Sequence, residues 1–143
     1  MLWTIFTTAG FFIVVMMILL AGMEYEAWFA GGSPASEEFP ELTVRQVSIF
    51  FTVYVLFQAW NKINCRSLVP QVSGLSRLWA NPIFLGILGL IVLVQVLIVS
   101  LGGTVFHVEP LDPLTWLAIG AFTSSVLVFA EAVRRLRLAA LHP

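Results

Sequence analysis

Two uncharged apolar runs in this chain are each about as long as a lipid bilayer is thick. Residues 3–23 form a run of 21 residues without a charged side chain, and residues 82–101 form another of 20. At 1.5 Å of rise per residue, each run crosses a hydrocarbon core of roughly 30 Å as a helix. In lipid the backbone must satisfy its own hydrogen bonds, which helices do within one segment. The sequence therefore predicts an integral membrane protein built from helices.

Composition agrees with this class and excludes several others. Hydrophobic residues make up 59% of the chain and charged residues 10%, against about 25% charged residues in soluble domains. The net charge of −1 provides no basic field for nucleic acid, so we expect no nucleic-acid partner. The single cysteine, Cys65, permits no internal disulfide. His107 and His142 have no His or Cys neighbour at ligand spacing, so we expect no complete metal site.

Helix-start signals locate two more helices and refine a third. Thr43 and Gln46 have the T-x-x-Q spacing of a capping box. Asn81-Pro82 and Asp112-Pro113 each place a capping residue before a proline at the first helical position. We expect loops over residues 24–42 and 104–110. The prediction is an all-α, single-domain bundle over residues 1–143, with four transmembrane helices at about 3–23, 43–64, 82–101 and 114–134.

The charges predict the orientation of this bundle. With four spans, both termini and the connection between the second and third helices lie on one side. That side holds six of the seven Lys and Arg residues, all but Arg45, and the other side holds seven of the eight acids, all but Glu131. Positive residues collect on the cytoplasmic side, so both termini are predicted to be cytoplasmic. No Lys or Arg precedes the first run, which favours a span over a signal peptide.

The second predicted helix carries an unusual set of polar residues. At 100° per residue, Tyr54, Gln58, Asn61 and Cys65 share one face, here called the polar stripe, and Asn64 lies at its border. Amides in hydrocarbon are rarely left facing lipid, so the polar stripe is expected to face other helices. These amides therefore serve either interhelical bonding or an ion path.

Two more polar features lie in the later helices. Gln95 interrupts an apolar helix and is expected to bond between helices, either to the Gln58 face or to the serines at 124 and 125. Glu131 precedes Arg134 and Arg135 by three and four residues. Because those spacings place side chains together on a helix, the sequence predicts a structural ion pair there.

Three segments together resemble a known family. They are FTVYVLFQAWNKINCRSL, NPIFLGILGLIVLVQVLIVSLGG, and PLDPLTWLAIGAF with Glu131 and Arg134 beyond it. They are similar to the C-terminal membrane segment of cation-transporting P-type ATPases, especially the plasma-membrane calcium-pump type, over residues 47–137. The resemblance implies helices seven to ten of a ten-helix pump in a plasma or inner membrane. In that type a glutamine also occupies the Gln58 position, where two-site calcium pumps have a glutamate ligand.

The same family also uses motifs that this sequence does not contain. The D-K-T-G-T phosphorylation motif and the T-G-E motif are both missing from it, and covalent phosphoryl transfer needs the aspartate of the first. We therefore expect no catalytic residues and no enzyme activity from this chain alone. ATP, magnesium and calcium would belong to a complete pump. A calcium ion takes six to eight oxygen ligands, and this chain has no acid in mid-membrane to provide them.

Two functions remain open at this stage. In the first, the chain is the C-terminal membrane module of a cation pump, with calcium the expected ion. Its partners are lipid and the remaining helices and cytoplasmic domains of that pump, whose ion-binding helices it supports. In the second, it is a stand-alone membrane scaffold or regulatory subunit that self-associates through the polar stripe. The partner of that stripe distinguishes the two.

Overall fold

The computed structural model describes residues 2–30, 42–66, 72–76 and 78–141, and within them it contains helices and turns but no strand. The all-α prediction is confirmed for this part of the chain. Three helices are long and apolar enough to cross a membrane, over Phe6–Glu26, Pro82–Leu101 and Pro113–Ala140. The helices, with a 3-10 turn at Leu78–Ala80 between the second and third, are α1 Leu2–Ala30, α2 Val44–Asn64, α3 Pro82–Leu101, α4 Gly103–Phe106 and α5 Pro113–Leu141.

The helix starts follow the capping signals in the sequence. Thr43 accepts a hydrogen bond from the Gln46 amide, while the Gln46 side chain accepts one from the Thr43 amide, which completes the capping box. Asn81 Oδ1 accepts from the Phe84 amide at 3.0 Å, and proline follows it. Asp112 Oδ2 accepts from the Thr115 amide at 2.9 Å. These bonds satisfy amides that have no partner within the helix.

Two helices are longer than predicted. The helices continue past the expected spans of 3–23 and 114–134, because α1 reaches Ala30 and α5 reaches Leu141. Glu24 and Glu26 therefore lie in a helix rather than in a loop. Charge ends a hydrophobic run but does not end a helix, since Glu and Arg have good helix propensity. The rest of the predicted loop, residues 31–41, lies outside the described residues.

The predicted loop over 104–110 begins with a helical turn. The helix α4 begins two residues after the end of α3, and His107, which follows its last residue, has a φ of 51°. Gly103 also has a positive φ, 44°, which glycine adopts at little cost. The Gly-Gly pair therefore ends α3 as expected, but the chain turns helically once more before it reaches α5.

Contacts between helix ends show that the long helices alternate in direction. Gln46 Nε2 donates to the Met23 carbonyl oxygen at 3.1 Å, so α2 begins beside the C-terminal part of α1. The guanidinium of Arg66 lies 5.0 Å from the ring centre of Phe84, which brings the end of α2 to the start of α3. Arg45 bonds to Asp112, so α2 and α5 begin on the same side and run parallel.

The helix α2 lies at the centre and contacts α1, α3 and α5. Phe57 is fully buried, and its ring meets those of Phe11, Phe12 and Phe122 edge-on. By contrast, the outer faces of the other long helices expose large apolar side chains, such as Ile83 on α3 at 77%. Outward apolar faces around a packed centre suit contact with lipid.

One glycine lets the connection between α2 and α3 lie against the end of α2. A Cβ at Gly74 would stand 2.5 Å from the carbonyl oxygen of Ile63, a contact that requires the backbone to shift. We expect Gly74→Ala to lower the free energy of unfolding by about 1–3 kcal/mol, the usual cost of overpacking. Gly86→Ala is the control, because nothing lies within 4 Å of a Cβ there. Unfolding in mixed micelles, followed by tryptophan fluorescence, measures both, and equal stabilities would contradict the close approach.

Candidate functional site

One face of α2 is a buried row of hydroxyls. Ser48 and Thr52 are both 0% exposed. Ser48 Oγ donates to the Val44 carbonyl and accepts from the Glu109 amide, both at 2.8 Å. Thr52 Oγ1 donates to the Ser48 carbonyl at 2.7 Å and accepts from Gln95 Nε2 at 3.2 Å. This row connects α2 to α3 and to the segment before α5.

The prediction of which residues Gln95 bonds to was wrong. Gln95 is 2% exposed and bonds to Thr52, not to Gln58 or to the serines of α5. Ser124 instead donates to the Ala121 carbonyl of its own helix. The sequence analysis did not single out Ser48 and Thr52, because small hydroxyl side chains change the hydropathy of an apolar run very little. Their spacing of four residues, which places them on one helix face, was the available signal.

Nearer the end of α2, two side chains bond across to α5. Trp60 Nε1 donates to Thr123 Oγ1 at 3.0 Å, and Asn64 Nδ2 donates to the Val126 carbonyl at 3.3 Å. Across the described residues, every side-chain nitrogen or oxygen that is fully buried has a hydrogen-bond partner. Interior polar atoms of the bundle are thus satisfied within the chain, as a low-dielectric interior requires.

The polar stripe lies at the edge of this packing. Tyr54 touches Phe12 of α1 with ring centres 5.7 Å apart but remains 45% exposed, and Cys65 is exposed. Gln58 is half-buried, and no described residue forms a hydrogen bond with its side chain. Asn61 Oδ1 meets Asn64 Nδ2 at a long 3.5 Å. The helices α1, α3 and α5 therefore cover the stripe only in part.

The stripe by itself offers little to a metal ion. Gln58 and Asn61 provide two amide oxygens, whereas calcium takes six to eight oxygen ligands, several of them from carboxylates. The described residues contain no group of three His, Cys, Asp or Glu side chains placed to hold a metal. Any ion beside this face would need most of its ligands from elsewhere.

A charged network joins the starts of α2 and α5. Arg45 bonds to Asp112 Oδ1 at 2.8 Å and to Thr115 Oγ1 at 3.2 Å, and its guanidinium lies 4.0 Å from Glu109. The hydroxyl of Thr115, followed by Arg45, holds the pKa of Asp112 well below its usual range. Both donors favour the carboxylate form because they bond to it directly.

At the opposite end of the bundle, Glu131 bonds to three other side chains. Its Oε2 accepts from Arg134 Nε at 2.8 Å and from Ser73 Oγ at 3.2 Å, and its Oε1 contacts Arg134 Nη2 and Arg135 Nε. The two arginines are those that the helical spacing indicated. Ser73 was not anticipated, because it comes from the connection after α2, 58 residues earlier in the chain.

Comparison with known proteins identifies the family. The family described as "Cation transporting ATPase, C-terminus" matches residues 1–136, nearly the whole chain. The chain belongs to this family. With three helices in the described part of the chain able to cross a membrane, this member of the cation transporting ATPase C-terminus family is a multi-pass integral membrane protein.

Individual relatives of this family member are calcium-transporting ATPases by name. It is 33% identical over 85 residues to plasma membrane calcium-transporting ATPase 2 of Oreochromis mossambicus, covering 59% of this chain and 7% of the relative. It is 33% identical over 89 residues to probable calcium-transporting ATPase 6, plasma membrane-type, of Oryza sativa subsp. japonica, covering 60% and 9%. It is 35% identical over 79 residues to calcium-transporting ATPase 2 of Cryptococcus neoformans, and this match covers 53% of this chain and 6% of the relative. The chain thus spans less than a tenth of each relative's length.

The Asp112 network predicts a particular response to acid. A lowered pKa means that Asp112 stabilises the fold fully above the ordinary carboxyl pKa of about 4, and that this contribution is lost as pH falls toward the lowered value. Asp112→Asn keeps a capping oxygen for Thr115 but removes the ion pair with Arg45. We expect this variant to melt below the wild type at pH 7, with the gap in melting temperature narrowing as the pH falls below about 4.

Melting temperatures in detergent across that range measure the effect. Glu24→Gln is the control, because Glu24 is an exposed carboxylate of α1 that makes no ion pair with Arg45. A gap between Asp112→Asn and wild type that stays constant from pH 7 to pH 3 would contradict the assignment.

The Gln95 and Thr52 side chains should be energetically coupled. Gln95→Leu and Thr52→Val each remove one partner, so the second change should cost less once the first is made. A double-mutant cycle should give a coupling of about 0.6 kcal/mol, and at most about 1.7, as for other interhelical hydrogen bonds in membranes. Gln95→Leu with Trp60→Phe is the control cycle, because those side chains share no partner and their effects should add. Additive effects for the Gln95 and Thr52 pair would show that the bond contributes nothing.

Proposed function

We propose that this chain forms the seventh to tenth membrane helices of an ATP-driven cation pump of the plasma membrane, with calcium as the transported ion. Family membership supports the pump context, and the names of the relatives support calcium and the plasma membrane. In this proposal the chain supports the ion-binding helices. The nucleotide site, the phosphorylated aspartate and the bound magnesium belong to the remainder of the pump.

The proposed topology has four spans in one domain, with α2 as the second. The helix α2 is 21 residues long and runs antiparallel to α1 and α3. Its lower apolarity comes from side chains such as Ser48, Thr52 and Asn64, which bond to neighbouring segments rather than meet lipid. Such bonding offsets the cost of placing polar groups in hydrocarbon.

Charge supports cytoplasmic termini in this topology. Lys62, Arg66, Arg134, Arg135 and Arg137 lie at the end of α2 or in the last turns of α5, which adjoin on one side of the bundle. Arg45 lies on the other side, where it pairs with an acid. Under the positive-inside rule, the side rich in Lys and Arg is cytoplasmic. Arg77, which contributes to the same bias, lies outside the described residues.

One observation carries the proposed role of the polar stripe. Gln58 presents a half-buried amide for which no described residue is a hydrogen-bond partner. Without any partner in the membrane, such a group costs free energy, so partners on helices outside this chain account for it best. We infer that Gln58 and Asn61 face the ion-binding helices of the pump and bond to them, beside the ion path.

The test is assembly and transport with Gln58→Leu. This change removes the amide without disturbing any hydrogen bond of the bundle, so the stability of the isolated chain should stay within about 0.5 kcal/mol. The variant should co-purify less with the polypeptide that carries the phosphorylation motif. Calcium-dependent ATPase of the assembled pump should fall by about tenfold, the effect of losing 1.4 kcal/mol.

Leu90→Ala is the matched control, since Leu90 is 58% exposed on the outer face of α3, away from the stripe. It should leave assembly and ATPase unchanged. The chain could instead be recovered from native membranes only as a homo-oligomer that Gln58→Leu disperses. That result would support the self-associating scaffold and contradict the pump assignment.

A further inference from the structure

A groove runs along the C-terminal half of α1, on the side that faces α5. It encloses a cavity of about 550 Å³. Met23 is 7% exposed and forms part of its floor, whereas Ile18, 67% exposed, lies at the rim. The groove therefore opens outward, toward the surroundings of the bundle. Its walls are Val15, Ile18, Leu19, Gly22 and Met23 of α1 with Phe122 of α5, and Glu26 stands at one end.

The length of the groove matches one leaflet of a bilayer. From Val15 to Glu26 the helix rises about 16 Å, roughly half of a 30 Å hydrocarbon core. Glu26 is the last residue of the apolar segment of α1. The carboxylate therefore stands at the level of the lipid headgroups, and the apolar part of the groove lies at the depth of the acyl chains.

Toward the middle of the membrane the groove is closed. Phe11 stacks on Phe129 of α5 with ring centres 4.2 Å apart, one turn before Val15. A transmembrane helix that lay along this groove would extend past its closed end. A channel that ends halfway instead fits a molecule as long as one leaflet.

The charge at the open end selects the headgroup. Among the described residues that line the groove, Glu26 is the ionisable one. A carboxylate there attracts an ammonium group and repels a lipid with net negative charge. We propose that this groove is a binding site for a phospholipid with a primary ammonium headgroup, phosphatidylethanolamine being the probe. One acyl chain lies along Gly22 and the ammonium pairs with Glu26.

Gly22 makes room for the acyl chain of the lipid. A Cβ at this position would meet nothing within 4 Å, so the space beside the backbone is open. A larger side chain would fill the groove without displacing protein atoms. Apolar cavities of a few hundred cubic ångströms with a small number of placed polar groups are typical ligand sites.

The experiment uses the complete protein as purified from its native membrane with whatever partners it retains. The protein is equilibrated with vesicles of equal parts phosphatidylethanolamine and phosphatidylglycerol, and retained lipid is counted by native mass spectrometry. We expect one retained lipid, with phosphatidylethanolamine favoured about fivefold, the effect of one charge at a membrane surface. Glu26→Gln should abolish this preference while leaving a lipid bound. Gly22→Leu should remove the retained lipid.

Two matched controls lie on the same helix. Glu24→Gln removes a carboxylate two residues away that does not line the groove, and Gly10→Leu enlarges an equally open glycine in the other half of α1. Both should behave as the wild type. Equal retention of the two lipids by the wild type, or the same loss of preference in Glu24→Gln, would overturn the site. Should Gly22→Leu fail to fold, the comparison of Glu26→Gln with Glu24→Gln decides alone.

Discussion

The bundle depends on one constraint, which is that polar atoms inside hydrocarbon need partners within the protein. The helix α2 has a higher proportion of polar side chains than the other long helices, and it occupies the central position. Ser48, Thr52, Trp60 and Asn64 each bond to another segment of the chain. The apolar helices α1, α3 and α5 surround it and turn their outer faces outward. The least apolar helix is therefore the one that organises the other three.

The two polar faces of α2 have different consequences. The face with Ser48 and Thr52 is closed within the chain, so it contributes to folding. The face with Gln58 and Asn61 is left at the edge of the bundle, and its amides remain available to helices that this chain does not contain. Membership in the cation transporting ATPase C-terminus family gives that availability a meaning. In the function proposed above, the same helix stabilises the module and presents it to the rest of a pump.

Local signals in the sequence were reliable guides to the helix starts, because capping depends on residues three positions apart. Thr43, Asn81 and Asp112 all cap as their neighbours indicate. Helix ends were less predictable, since Glu24 and Arg134 end hydrophobic runs without ending helices. The partner of Gln95 could not be predicted, because it depends on how α2 and α3 are rotated about their axes. Hydropathy carries no information about that rotation.

The parallel pair α2 and α5 is fastened along its whole length. Arg45 holds Asp112 at one end, Trp60 holds Thr123, and Asn64 holds the Val126 carbonyl toward the other. A slip of one helix past the other by a single turn, about 5.4 Å, would break all three contacts at once. The pair therefore has one register and moves as a rigid body. Any motion that reaches the pair from adjoining helices must tilt or shift both helices together, because neither can slide along the other.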